Sequence, residues 1–281
     1  MELAEKQGRD ALKLNMKIVE ELLVRFLRDE IRNAGFSRAV IGLSGGVDSA
    51  VSAALTAKAL GKRNVLGVLL PYRTSNPQSA KDAALVAKKF GIRTLTIPIS
   101  PMVDAYCESR KVTSRTAKGN IMARMRMVVL YDVSAKERAL VVGTSNKSEI
   151  LLGYGTLFGD TACALNPLGD LYKTQVWQLA SAIGVPDRVV KKKPSADLWA
   201  GQTDEGELGL EYRKVDKLLY CMIDERRSEE ELVKRGFEKR LVKKVRTMVQ
   251  RNQFKRRPPI IAKVSYRTVN VDFRYPRDWG T

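Results

Sequence analysis

Six residues, Ser44-Gly45-Gly46-Val47-Asp48-Ser49, constrain this chain more than any other feature because of what flanks them. Before them runs Ala39-Val-Ile-Gly-Leu43, apolar and of strand length. After them Ala50 to Leu60 reads as a helix closed by Gly61. A strand that turns into a helix so abruptly needs glycine at the turn, since glycine visits positive φ without steric penalty. Successive N–H groups in such a turn form a concavity suited to an anion, and the helix that follows adds its positive end. Ser44 and Ser49 can donate hydroxyl hydrogen bonds there, and Asp48 can reach a magnesium ion bridging phosphate oxygens. The spacing is neither the GxxxxGK[ST] of the kinase-type loop nor GxGxxG.

The alternation continues. A helix is expected over 10–34, a second strand at 64–70, a loop at 71–77, a helix at 78–90 and a third strand at 93–99. A helix over 118–136, with Ile121, Met125, Val128 and Val129 on one side, precedes a strand at 139–142. Strands that are apolar throughout and alternate with helices argue for an α/β fold, a doubly wound parallel sheet covered on both faces. Beyond about residue 170 the strand signal fades, and helices fit 171–183, 208–225, 228–235 and 238–254. The chain therefore reads as one domain over 1–281. It has an N-terminal helix at 10–36, a nucleotide-binding core at 37–200, a helical part at 201–257 and a tail at 258–281.

Composition narrows the chemistry. With no histidine there is no Ser-His-Asp triad and no histidine-ligated metal. Proton transfer falls to a carboxylate, Lys, Tyr, Cys or the substrate. Cys107, Cys163 and Cys221 lie far apart without CxxC spacing, which excludes a disulfide scaffold. No window has the length of a membrane span and the first residues lack a signal-peptide core, so a cytoplasmic protein is expected. The formal charge of +19 points to anionic partners. Lys234 to Arg257 holds eleven basic residues against one acid, which reads equally as a solvated helix face or as a docking surface.

The hexapeptide resembles the SGGxDS pyrophosphate loop of the N-type ATP pyrophosphatases, which transfer AMP from ATP to a substrate oxygen. Gly119 to Met127, Val142 to Glu149, Asn166 to Lys173, Lys193 to Leu198 and Lys255 to Pro259 resemble, in order, the motifs of the NAD synthetase family within it. The resemblance implies a Rossmann-like sheet of the adenine nucleotide α-hydrolase type. It also implies ATP-dependent amidation of deamido-NAD to NAD by ammonia, with AMP and pyrophosphate released. By the same resemblance Gly42, Leu43, the loop 44–49, Arg73, Thr144, Lys173 and Ser195 bind ATP, with Ser75 beside Arg73. Asp48 and Glu149 hold magnesium. Asp48, Glu149, Lys173 and Asp160 serve catalysis, Asp160 as the carboxylate near incoming ammonia. Arg124, Asp160, Phe254 and Lys255 bind the dinucleotide, Arg126 assisting.

Three positions depart from the family pattern: Leu157 where many members have Lys, Ala164 where many have Asp, and Phe254 in place of His. All three concern how the nicotinate half is held. Cys163 is expected to be a buried small residue. About 38 residues precede the first strand, so no glutaminase domain is expected; the nitrogen source is free ammonia or a separate glutaminase subunit. A homodimer is implied by the family, with the apolar stripes of 10–34 and 118–136 as interface or as ordinary core. Two rivals stand beside this reading. An adenylating enzyme acting on tRNA would suit the basic stretch, but the chain lacks a CxxC pair and has few aromatics in that stretch, so no nucleic-acid partner is expected. A nucleotide sensor on the same scaffold would suit the three departures but not the retained Asp48, Glu149 and Lys173.

Overall fold

The computed structural model describes residues 11–199, 201–257 and 259–269. Residue 10 of the expected first helix and most of the expected tail lie outside them. Helix α1 (Met16–Asn33) starts where Asn15 caps it, the side chain accepting from the amides of Lys17 and Ile18. The helix therefore begins later than periodicity alone predicts. It buries Leu23, Val24, Leu27 and Ile31. Strand β1 (Ala39–Gly42) leads through the glycine loop into α2 (Val47–Leu60), whose alanine-rich surface is buried almost all round. Such a helix has to be sandwiched rather than laid on the surface.

Strand β2 (Val65–Leu69) is followed by α3 (Pro77–Phe90), capped by Asn76 with proline at its first position and closed by Gly91 in the left-handed conformation. Strand β3 (Arg93–Thr96) is solvent-exposed and ends earlier than expected. Pro98 cannot donate to a ladder, and α4 (Ser100–Ser109), which periodicity does not announce, follows directly. Helix α5 (Arg115–Glu137) leads to β4 (Leu140–Val141). The strands lie in the order β3-β2-β1-β4, all parallel, with Ala39 opposite both Val65 and Leu140. The chain thus winds outward from β1 on one side and returns on the other. The loops after β1 and β4 part at that reversal, and ligands bind in the resulting crevice.

Helices α6 (Lys147–Leu152), α7 (Lys173–Ala182), α8 (Asp187–Val190), α9 (Asp204–Leu208) and α10 (Tyr212–Leu219) follow, then α11 (Glu229–Lys234) and α12 (Lys239–Arg251). The expected helix over 208–225 is in fact broken. Gly209, at φ +58°, closes α9, and α10 gives way to a π-helical turn at Tyr220–Asp224. That turn brings Asp224 to Lys147, 2.8 Å away, and to the Tyr172 hydroxyl. A core of Leu152, Tyr172, Tyr212, Leu218, Val242 and Val245 joins α10 and α12 to the elements that carry the site. Among the described residues no helix is long and apolar enough to cross a membrane.

Candidate active site

The glycine loop is held from within and from behind. Gly45 sits at φ +75°, and a Cβ there would lie 2.2 Å from the Ser79 carbonyl oxygen, so the position admits glycine alone. The Ser44 and Ser49 hydroxyls are 3.1 Å apart, Ser49 donates to the Gly46 carbonyl, and the Gly46 amide donates to Ser44 Oγ at 3.3 Å. Gly46 caps α2 with no side-chain bond of its own. The first-turn amides of α2 are therefore left to an anion. Gly42 ends β1, Leu43 is buried with its amide on the Val68 carbonyl, and Val47 is buried as the first residue of α2.

From α2, Asp48 reaches across the crevice to the loop after β4. Lys173 Nζ, at the start of α7, donates to Asp48 Oδ2 at 2.6 Å and to Glu149 Oε1 at 3.2 Å. Asn146 Nδ2 donates to Asp48 Oδ1 at 2.9 Å. Asn146 also caps α6, accepting from the Glu149 amide while Glu149 Oε2 accepts from the Asn146 amide. That reciprocal bond fixes the Glu149 carboxylate. The Lys173 side chain is only 2% exposed. Burial works against its ammonium, but Asp48 and then Glu149 outweigh it and hold the proton more firmly than in an ordinary lysine. Burial also raises the Glu149 carboxyl; Lys173 opposes this, while Asp48 and Asp204 add to it. Asp204 itself accepts from the Tyr154 hydroxyl at 3.0 Å and is raised by burial.

A second group gathers around the loop 153–160. Lys255 Nζ donates to the carbonyls of Gly153 (2.7 Å) and Gly155 (2.9 Å). Arg124 donates to the Leu157 carbonyl at 3.3 Å and Arg126 to the Leu70 carbonyl at 3.1 Å. Asp160 Oδ1 accepts from the Thr156 amide at 2.8 Å. Asp160 is solvent-exposed, with Oδ2 lying against Gly155. Lost solvation raises its carboxyl, against hydrogen bonds from Thr156 and the charge of Lys255. Burial lowers Arg126, against the charges of Asp197 and Asp160.

The remaining expected residues are placed differently. Thr144 follows β4, half-buried between Gly143 and the Asn146 cap. Arg73 is exposed and ion-paired with Asp104, and Ser75 Oγ accepts from the Tyr72 amide. Ser195 is exposed and accepts from the Asp197 amide, and Asp197 in turn accepts from the Asn76 amide beside α3. Phe254 is 60% exposed, and Ala164 is exposed with its amide on the Val141 carbonyl. Cys163 is half-buried against Gly143 instead of fully buried, and burial pushes its thiol up.

Four residues that the sequence does not single out belong to this site. Asn146 joins the two carboxylates, and its signal was the Asn-Lys-Ser-Glu cap pattern. The charge of Asp204 acts on both Lys173 and Glu149. The Tyr212 ring lies 5.4 Å from the Lys173 ammonium, a cation–π contact. Lys192 touches the loop itself through the Gly45 carbonyl, 3.2 Å away.

With this geometry in view, relatives are informative. A family model described as NAD synthase matches residues 19–259. The NH(3)-dependent NAD(+) synthetase of Trichlorobacter lovleyi is 57% identical over 269 residues, 96% of this chain and 98% of its own. Among solved structures, the NMN synthetase from Francisella tularensis is 33% identical with a TM-score of 0.79, over 89% of this chain and 99% of that one. The NH3-dependent NAD synthetase from Campylobacter jejuni, solved with a nitrate ion, is also 33% identical, with a TM-score of 0.77 over 89% and 100%. A glycine loop facing a buried acid–lysine cluster across a parallel sheet, matched at this depth over nearly its whole length, makes the chain a member of the NAD synthase family.

Proposed function

We infer that this chain amidates deamido-NAD to NAD with ATP and ammonia, releasing AMP and pyrophosphate, the last step of NAD biosynthesis. The near-full-length identity to ammonia-dependent synthetases carries the reading. The Asp48–Lys173–Glu149 cluster beside the glycine loop supplies its chemistry. ATP lies with its phosphates over 44–49, where the loop amides and the α2 N-terminus meet negative charge. The nicotinate carboxylate attacks the α-phosphorus, and the bond from that phosphorus to the bridging oxygen breaks as pyrophosphate leaves. Ammonia then adds to the activated carboxyl carbon and AMP departs with the oxygen it shares. Lys173 neutralises charge on the phosphates as a fixed point charge, already desolvated and therefore strong.

Asp160 takes the proton that the attacking nitrogen loses. Its raised pKa suits it to a base working nearer neutrality than an ordinary aspartate. Arg124, Lys255 and Phe254 face the dinucleotide, with Thr144, Arg73 and Ser195 around the nucleotide of ATP. Asp48 and Glu149 also fit magnesium. They share one cation through Lys173, and burial leaves Glu149 short of positive charge. Magnesium accepts one or two carboxylates and completes its shell with water and phosphate oxygens. Among the described residues there is no cluster of three or more acidic, Cys or His ligands, so phosphate oxygens would complete the shell. The bound ion would screen phosphate charge as pyrophosphate separates.

Free ammonia, not a glutaminase partner, is the nitrogen donor in this reading, and the enzyme works in the cytoplasm as a homodimer. The dimer is supported by Leu14, Ile18 and Leu22, an exposed apolar stripe on and before α1, and by exposed Val128 and Tyr131 on α5. The test is an assay with ATP, magnesium and deamido-NAD, comparing ammonium with glutamine. Nicotinic acid mononucleotide serves as a second acceptor because one structural neighbour is an NMN synthetase. Equal NAD, AMP and pyrophosphate with ammonium, and a preference for the dinucleotide, are expected. A preference for the mononucleotide would reassign the acceptor.

A further inference from the structure

At the glycine loop, with no partner in the acid–lysine cluster among its contacts, Lys192 makes three contacts. Its ammonium lies 3.2 Å from the Gly45 carbonyl oxygen, 3.1 Å from Ser79 Oγ and 3.0 Å from Asp82 Oδ2. An ammonium has three protons and no acceptor, so these partners use it completely. Asp82 is 2% exposed, and its other oxygen is held by Gln78 Nε2 at 2.8 Å and Arg188 Nε at 3.0 Å. Such a buried carboxylate is costly unless paired. The network runs from α3 and the segment after α8 to one backbone atom of the loop.

We propose that Lys192, anchored by Asp82, is a positioning residue that aims the Gly45–Gly46 peptide at the pyrophosphate group of ATP. A trans peptide is planar, with its carbonyl and its following N–H on opposite edges. Tethering the Gly45 oxygen to Lys192 therefore turns the Gly46 N–H to the inside of the loop, toward Ser44 Oγ at 3.3 Å. Gly45 occupies positive φ, and glycine adopts positive and negative φ about equally readily. Without the tether that peptide can rotate and present its carbonyl, an acceptor, to the phosphates. The Lys192 ammonium thus acts through the Gly45 carbonyl, by way of the backbone. The proposal rests on the assignment of ATP phosphates to this loop.

Isothermal titration calorimetry of the full chain tests it with four probes: inorganic pyrophosphate, ATP, AMP and deamido-NAD. A hydrogen bond to a charged donor is worth roughly tenfold or more in an equilibrium. Lys192→Met should therefore weaken pyrophosphate and ATP by about that factor while AMP and deamido-NAD stay within about twofold. Equal loss for all four probes would make Lys192 merely structural, and no loss for pyrophosphate would remove the tether; either overturns the proposal. Asp82→Asn separates positioning from direct contact. It should weaken pyrophosphate by loosening Lys192, whereas a lysine that itself grips phosphate would bind more tightly once its counter-ion is gone. If Lys192→Met does not fold, Ser79→Ala removes one of the three partners and leaves both charges in place. It should then show the same selectivity at about two- to threefold, and its absence overturns the proposal. Failure of the unsubstituted chain to bind ATP or pyrophosphate would instead refute the nucleotide reading of the loop, and the proposal with it.

Discussion

The two groups of candidate site residues are built on opposite plans. In the group proposed to meet ATP the ionisable groups bind one another: Lys173 joins Asp48 and Glu149, all three with side chains at most 17% exposed. In the group proposed to meet the dinucleotide the basic groups spend their protons on backbone carbonyls, Lys255 on Gly153 and Gly155 and Arg124 on Leu157. The first arrangement fixes charge in a desolvated place before any ligand arrives, which is what electrostatic stabilisation of a transferring group requires. The second fixes the shape of a loop. A member of the first group should be costly to remove in both rate and stability, and a member of the second should separate the two.

Lys173→Met is the largest test. It strips the shared cation from two buried carboxylates, an uncompensated burial that costs about 3–5 kcal/mol. The loss of one fixed charge at the phosphates should slow pyrophosphate release by about 10²–10³-fold. The damage should depend on pH in a defined direction. Lys173 holds the Glu149 carboxyl down, so its removal raises that group further above its unfolded value. A group whose pKa is raised on folding binds its proton more tightly in the native state, so stability falls as pH climbs from the ordinary carboxylate range toward the raised value. Thermal melts from pH 6 to pH 9.5 should show Lys173→Met losing ground to the parent above about pH 8, where the parent's Glu149 ionises beside Lys173 and the variant's does not. A constant gap would mean that Glu149 does not carry the strain.

How much of this contrast the sequence reveals depends on the range of the interaction. The loop 44–49 is legible because its needs are local: glycine for positive φ at Gly45 and a helix start at Val47. The order of strands and helices through β3 follows for the same reason. Asn146 stands 98 residues from the Asp48 it bonds, and Lys192 is 147 residues from Gly45. No pattern of spacing announces which distant side chain arrives at a loop. Helix α4 is hidden because proline at its second position and a short apolar face resemble the strand end before it. The break at Gly209 is hidden because a single glycine inside an apolar-periodic run also reads as a tolerated helix residue.

Asp160→Asn comes next in size. It keeps the shape of the side chain and its place beside the Thr156 amide but removes the base. A fall in kcat of about 10²-fold or more is expected, with KM for ATP unchanged. The Asp160 carboxyl lies above the ordinary aspartate value, so at saturating ammonium kcat for the parent should rise with pH through a limb displaced upward from that value. The variant should lack that limb. A limb that survives in Asp160→Asn belongs to another group, and Asp160 would then be a loop residue like its neighbours.

Lys255→Met sharpens the comparison from the other side. The ammonium braces two carbonyls of the loop 153–160, so its loss leaves both without that donor, at about 1–3 kcal/mol. KM for deamido-NAD should rise about tenfold while KM for ATP and the rate at saturation hold. A parallel rise in KM for ATP would mean that the two sides are one network.

Phe254→Ala has the smallest effect and makes the cleanest cut. The side chain is 60% exposed, so the fold draws little from it and the melting temperature should barely move, consistent with a change within about 0.5 kcal/mol. An exposed aromatic next to Lys255 nevertheless offers a flat apolar face to a ring. Losing such a contact should raise KM for deamido-NAD by about three- to fivefold, near the lower end of what stacking on an aromatic contributes. Rate at saturation and KM for ATP should not change, because Phe254 is placed with Lys255 in the group proposed to meet the dinucleotide. If the melting temperature falls while KM stands still, Phe254 packs on the protein instead of the substrate. The acceptor side would then be held by Arg124, Asp160 and Lys255 alone.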